Sequence, residues 1–525
     1  MQLVDYRLLP EEIDDDAAHR KALAEQLELK DPHSFDYKII RRNIDARARN
    51  VYFVFRAEVF KEAVSSSSSS SISIEFNYKN VSDAKQVHVI GAGPCGYFAA
   101  LKLIELGLKP IVIERGKDVR DRRRDLKSIQ QDGIVNPDSN YCFGEGGAGT
   151  YSDGKLYTRS DKRGSIQSVL NILVDHGADP EIVIDVHPHI GSNRLPEIVA
   201  NIRKTILKFG GEIHFNTKLQ DLEIENQLVK KIITNHTTYD CSDVILATGH
   251  SARDIFELLN AKSCSLSYKP FALGVRIEHP QQVIDQIQYK QNPRHAKLPA
   301  ASYSISCQID GNGVFSFCMC PGGLIVPAAT APGELVMNGM SLSRRDSPFA
   351  NSGFVCTVDA SDFKKHAHYH ALQGMYFQKE VEQKMFGLGD GSQKAPAQRL
   401  VDFIKKRKSL DLPDCSYIPG IFPASLHTEL PNAISDRLRN AFIYFGERMS
   451  QFLHPDAIMV SPESRTSSPV KIPRDQQSLM HPDIKGLFPA GEGAGYAGGI
   501  LSAAMDGQRV AQAVYNKING KLVNA

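Results

Sequence analysis

Residues 86–116, QVHVIGAGPCGYFAALKLIELGLKPIVIERG, constrain this chain more than any other stretch, because they read as one strand–turn–helix–strand unit. An apolar run with Val87, Val89 and Ile90 ends at Gly91-x-Gly93-x-x-Gly96. Helix-patterned residues follow as far as Gly107, and a second apolar run through Ile113 closes on Glu114. Each residue type has a physical task. Gly91 permits the tight turn, Gly93 lets a pyrophosphate approach the backbone, and Gly96 lets the helix pack close to the strand. The start of the helix offers N–H groups to phosphate. Glu114 falls where a carboxylate can accept hydrogen bonds from ribose hydroxyls. The unit therefore predicts an adenine dinucleotide.

Bulk properties restrict the class. A chain of 525 residues, 42% hydrophobic and 23% charged, is ordinary for a large globular enzyme of two or three domains. A net charge of +2 points to neither nucleic acid nor an anionic membrane. The 9 cysteines are scattered without a disulfide-like framework, which predicts a reducing compartment. The polar, acidic start MQLVDYRLLPEEIDDD is no secretory signal. No apolar run is long enough to span a bilayer, so the expectation is a cytoplasmic protein with no membrane partner.

Along the chain, residues 11–29 read as a helix, and 35–40 and 51–60 as strands joined by a basic, helix-prone stretch at 41–49. Residues 65–71 are a serine-rich, low-complexity loop. The arginines at 120 and 122–124 alternate with aspartates and read as an ion-paired surface helix. Residues 196–209 read as an amphipathic helix, 212–215 as a strand, and 218–234 as a hairpin. Residues 243–247 and 486–490 read as buried strands, and 500–519 as a helix with Leu501, Ala504, Val510, Ala511 and Val514 inward. Between about 265 and 480 strand-like and helix-like runs mix, as expected of an inserted domain. The chain accordingly divides into a small N-terminal α/β module at 1–83, a discontinuous nucleotide-binding domain at 84–264 and 481–525, and an inserted substrate domain at 265–480.

Three distant features favour a flavin over nicotinamide alone. The first is the opening unit with Glu114-Arg115-Gly116, and the second is residues 244–249, ending in Thr248-Gly249. The third is residues 487–492, whose terminal Glu492 can accept from ribityl hydroxyls. Glycines at 493, 495, 498 and 499 then lead into a helix whose N–H groups suit negative charge on a reduced flavin. We read no second glycine unit between a strand and a helix, and so expect no dedicated nicotinamide domain. The glycine-rich loop at 143–155 can follow a cofactor closely.

With those motifs in view, the chain resembles the glutathione-reductase-like FAD oxidoreductases with one Rossmann domain. It is most similar to the predicted NAD(P)/FAD-dependent dehydrogenases, through residues 143–150, 151–155, 320–323 and 492–495. The resemblance covers roughly residues 85–525. It implies an α/β fold with a discontinuous Rossmann-type FAD-binding domain, an inserted α+β substrate domain and a small N-terminal module. It also implies FAD as prosthetic group. Without a dedicated nicotinamide domain, the flavin is open to reduction by its substrate or by NAD(P)H docking transiently. Cofactor-binding candidates are Gly91, Gly93, Pro94, Gly96, Glu114, Arg115, Gly146, Gly147, Gly149, Thr150, Lys155, Leu219, Thr248, Gly249, Gly491, Glu492, Gly498, Gly499 and Ile500.

Candidate chemistry is sparser. Cys318-Met-Cys320 reads as a strand with both sulfurs on one face, open to a redox role or to simple packing. Cys95 fits a small-residue slot. The histidines of His187-Pro-His189 read as loop residues. His250, with Arg253 close by, is open to a place beside the cofactor, while Arg276 either orients an anionic substrate or pairs with Glu278 on the same strand face. The sequence names no catalytic residue outright; His250, Cys318, Cys320 and Arg276 are the candidates. No metal site is expected. The leading function is an FAD-dependent oxidoreductase acting on a small-molecule substrate. The alternatives are an FAD-dependent monooxygenase, a flavin-bound RNA-modifying protein and a non-catalytic flavoprotein; nucleic acid is not an expected partner.

Overall fold

The computed structural model of the protein describes residues 1–60, 76–157 and 164–521; the serine-rich segment expected as a loop lies outside them. The fold is mixed α/β. Five short strands form a parallel sheet in the order Leu487–Pro489, Val244–Leu246, Gln86–Ile90, Lys109–Ile113, Glu212–His214. The three central strands are buried on both faces, as their Val/Ile content requires. The helices Pro94–Leu106 and Ile500–Ile518 pack against each other so closely that a Cβ on Gly507 would lie 2.1 Å from the Cys95 carbonyl oxygen. One sheet thus joins strands from near residue 90 to one near residue 488.

The middle of the chain builds a second, seven-stranded sheet. Its order is Ser306–Ile309, Asn312–Cys320, Phe349–Val358, Phe271–Pro280, Ile458–Glu463, Ala395–Arg399, Ile421–Pro423. Every pair is antiparallel except the last. Phe271–Pro280 is central and buried along almost its whole length. The helix Asn432–Arg448 covers this sheet through Phe442 and Phe445, which meet Phe354.

At the N-terminus, Gln2–Leu8, Tyr52–Phe60 and Asp36–Asp45 form an antiparallel sheet beside the helix Asp16–Gln26. The basic stretch is not helical as far as Asp45, because Arg41 and Arg42 continue the strand that pairs with Tyr52–Phe60. Arg42 then reaches Asp185 and Glu181, both at 2.7 Å. The strand Gln2–Leu8 was not anticipated, although Val4, Tyr6 and Leu8 alternate inward along it. Among the described residues no helix is long and apolar enough to cross a membrane.

A buried ion network ties the helix Arg253–Ala261 to the segment around the second sheet. Arg253 meets Glu334 and Glu382 at 2.9 Å, and Arg465 meets the same two carboxylates at 2.9 Å. Burial opposes the charge on Glu382, yet Arg253 and Arg465 hold its carboxyl at about 2. Because this value is depressed, its stabilisation is present above the ordinary carboxylate range and fades as pH falls towards about 2. Removing one arginine leaves buried carboxylate charge uncompensated. Arg465→Met should therefore cost about 3–5 kcal/mol in urea unfolding at neutral pH.

Candidate cofactor site

The carboxyl ends of three parallel strands meet at one point. A Cβ on Gly91 would lie 2.4 Å from the Ala247 carbonyl oxygen, and one on Gly493 would lie 2.5 Å from that of Gly249. The turns after Ile90, Leu246 and Pro489 therefore interlock without side chains between them. Gly96 serves the same close packing, since its Cβ would fall 1.9 Å from the Gly91 carbonyl oxygen. The helices that follow, Pro94–Leu106 and Ile500–Ile518, both begin without a side-chain cap. Their first N–H groups are left to whatever occupies the crevice.

Glu114 lies buried at the centre. Its carboxylate accepts from Ala92 N (2.8 Å), Gly116 N (2.9 Å) and Gly144 N (2.9 Å). Three of its roughly four acceptor positions are thus committed to backbone, leaving about one for a ribose hydroxyl. The loop that supplies Gly144 is held from its other side by Arg122. This guanidinium is fully buried and donates to the carbonyls of Asn140, Tyr141, Glu145 and Gly147 at 2.7–2.9 Å. The surface helix read from the sequence is therefore wrong at Arg122. In the helix Val119–Gln131, Val119, Arg122, Leu126 and Ile129 form the inward face. Glu145, also buried, accepts from the Tyr97 hydroxyl and Val119 N, and burial pushes its carboxyl up.

The same loop brings Gly146, Gly147 and Gly149 over the first glycine turn. Gly146 N donates to the Ala92 carbonyl oxygen, and a Cβ on Gly147 would lie 3.1 Å from Gly93 Cα. Gly149 faces Ile500. Thr150 turns its hydroxyl back to the Glu145 carbonyl oxygen. Arg115 pairs with Asp254 at 2.7 Å and covers the Phe143 ring, while Leu219 packs in the same apolar cluster as Phe143.

The third turn is fixed by groups the sequence reading missed. Asp506 accepts from Gly491 N at 2.8 Å and pairs with Arg474 at 2.6 Å. Arg474 also donates to the Pro489 carbonyl oxygen and lies over the Tyr496 ring. An aspartate on the apolar face of a helix was the available signal. The glycine spacing does recur here, at Gly493, Gly495 and Gly498, between a strand and a helix. That strand is the edge of the same sheet, and among the described residues no strand follows the helix, so no second unit is built. Glu492 faces His250, with Oε2 3.7 Å from Nδ1. Burial pushes the His250 imidazolium down, favouring the neutral ring.

Three positions bordering the turns open into empty space. A Cβ on Gly249, Gly498 or Gly499 would meet nothing within 4 Å. Open space beside two uncapped helix starts and a carboxylate-braced glycine loop fits an extended dinucleotide.

A second polar group sits where Lys155 leaves the glycine loop. Its ammonium lies 3.9 Å from Cys318 Sγ, 3.8 Å from Cys320 Sγ and 3.9 Å from Asp153. Asp153 pairs with Arg345 at 2.5 Å and accepts from Ser341. The expected Arg276–Glu278 surface pair does not form. Arg276 is wholly buried and binds Glu463 (2.9 Å), Asn351 and the Cys318 carbonyl oxygen. Glu278 instead accepts from Ser416, and burial raises its carboxyl to about 7. His189 bonds the Ser343 carbonyl oxygen, and His187 lies against the Tyr157 ring. Among the described residues no group of three metal-binding side chains occurs. Arg122→Met strips four buried carbonyls of their donor. It should cost at least about 3 kcal/mol and open residues 140–147 to limited proteolysis.

Residues 270–466 match the model described as "FAD-dependent protein, C-terminal domain-like", and residues 1–60 match a domain of unknown function. Glycine oxidase from Geobacillus kaustophilus superposes with a TM-score of 0.36 at 11% identity, over 84% of this chain and 96% of that one. A flavoprotein/dehydrogenase from Cytophaga hutchinsonii gives 0.35 at 11%, over 84% and 80%. A protein of Clostridium beijerinckii (strain ATCC 51743 / NCIMB 8052), titled "Uncharacterized protein", is 40% identical over 97% of both chains. The chain thus carries a domain of FAD-dependent proteins and belongs to the family of that Clostridium beijerinckii protein.

Proposed function

We propose that the chain is an FAD-dependent oxidoreductase whose cofactor lies along the carboxyl edge of the parallel sheet. The observation that carries this reading is the meeting of three strand ends at two uncapped helix starts, beside open space at Gly249, Gly498 and Gly499. A bound flavin supplies two-electron chemistry that no amino-acid side chain provides. In this reading the start of Pro94–Leu106 and Gly93 face the pyrophosphate, with Gly147 closing over them. Glu114 braces that cradle and accepts one ribose hydroxyl. Glu492, beside His250, accepts from the ribityl chain, and the start of Ile500–Ile518 faces the flavin ring.

The division of labour follows. Residues 84–264 with 481–525 would hold the cofactor, and 265–480 would shape the substrate cavity. In the N-terminal module Arg42, Arg47 and Arg56 are paired with carboxylates, as at Arg56–Asp5 and Arg47–Asp45. Nicotinamide enters this scheme only as a transient donor.

Gly498 offers a clean test, because it lies outside the positive-φ glycines and its Cβ would meet nothing. Gly498→Val should leave the thermal midpoint of the apoprotein unchanged. FAD affinity, followed by flavin fluorescence quenching, should fall at least about tenfold, or ~1.4 kcal/mol. Unaltered affinity would remove the cofactor from this crevice.

A further inference from the structure

The sulfur cluster beside Lys155 is not used by the cofactor reading, and its charges do not close without a thiolate. Facing it are the cations Lys155, Arg276 and Arg345 and the carboxylates Asp153 and Glu463. Arg345 is matched by Asp153 and Arg276 by Glu463. Lys155 is the odd cation. It lies no nearer to Asp153 than to either sulfur, so the two thiols supply its closest uncommitted counter-charge.

The sulfurs are unequal. Cys318 is half-buried and Cys320 fully buried behind it. The strand Asn312–Cys320 slips register between Phe317 and Cys320, and Cys318 adopts φ +45°, a left-handed conformation that costs a non-glycine residue energy. The Cys320 thiol donates to the Cys318 carbonyl oxygen at 3.3 Å. Cys320 beside it, Lys155 and Arg276 hold the Cys318 thiol well below its ordinary range despite burial. Burial drives the Cys95, Cys241, Cys307, Cys356 and Cys415 thiols the other way. Two residues apart on a strand, the Cα atoms of Cys318 and Cys320 stand about 7 Å apart or less, near the upper limit for a disulfide.

We propose that Cys318 and Cys320 form a redox-active dithiol that reduces a disulfide-bearing substrate, with Cys318 the attacking thiolate and Cys320 the resolving thiol. The Cys318 thiolate attacks one sulfur of R–S–S–R′, forming a Cys318–S–R bond as R′–S⁻ departs. Cys320 gives its proton to R′–S⁻ and attacks the Cys318 sulfur, expelling R–S⁻ and closing the Cys318–Cys320 bond. Two electrons pass from the protein thiols to the substrate, and no other reactant is consumed. Lys155 acts as a positioning residue that keeps Cys318 ionised. The proposal goes beyond the flavin reading and does not depend on it.

The test uses the reduced full-length protein with glutathione disulfide as probe, read by peptide mass spectrometry. The wild type should lose the mass of two hydrogens in a Cys318–Cys320 disulfide, and Cys320→Ser should trap glutathione on Cys318. Iodoacetamide should label Cys318 faster than the half-buried Cys307 and Cys415. Lys155→Met should slow Cys318 labelling by about tenfold and Lys155→Arg should restore it, with Cys307 and Cys415 unchanged. Cys318 labelling no faster than Cys307 and Cys415, or no glutathione trapped on it in Cys320→Ser, would overturn the proposal. FAD content of the same preparation separates the two readings: disulfide formation in flavin-free protein supports the dithiol and counts against the cofactor assignment.

Discussion

Glu114 accepts hydrogen bonds from three stretches of backbone: the first glycine turn, the end of the second parallel strand and the loop around Gly144. Glycine-rich segments cannot fasten themselves, since they lack side chains to pack or pair. Each charge-assisted bond to a buried carboxylate is worth about 1.5–3 kcal/mol, so Glu114 is what makes a fixed crevice of three loose loops. Arg122 completes the arrangement from the opposite side, spending its donors on four carbonyls of the same loop. A cationic fork beneath and a carboxylate above hold residues 140–147 against Gly93 without filling the space a cofactor needs.

The parts legible in the sequence were those governed by local rules. Glycine spacing after an apolar run, a helix start and an acidic strand end together fixed the first unit, because turn chemistry and strand burial act within a few residues. What escaped depended on phase or on distance. Arg122 looked solvated among Arg120, Arg123 and Arg124, yet its spacing from Leu126 and Ile129 already placed it on the apolar face. Arg276 and Glu463 lie 187 residues apart, and no local pattern announces such a pairing. The strand through Arg41 and Arg42 reads as helix-prone, because Arg42 is answered by Asp185 and Glu181, far along the chain.

Buried charge is concentrated in matched groups. Arg253 and Arg465 answer Glu334 and Glu382, and Arg474 answers Asp506. Such networks add little net stability over apolar packing, but leaving one member unpaired is costly, so they restrict the chain to one arrangement of its strand ends. The cluster at Lys155 departs from that pattern. Its unmatched ammonium sits between two sulfurs at the end of the loop that Glu114 and Arg122 hold in place.

The central claim is that the crevice between the three strand ends holds FAD. The most direct measurement is to denature the purified full-length protein and identify the released chromophore by chromatography, with its amount set against protein concentration. The account predicts FAD approaching one per chain, or reconstitution to that level on adding FAD to the apoprotein. Release of FMN, or protein that is colourless and takes up no FAD, would contradict it.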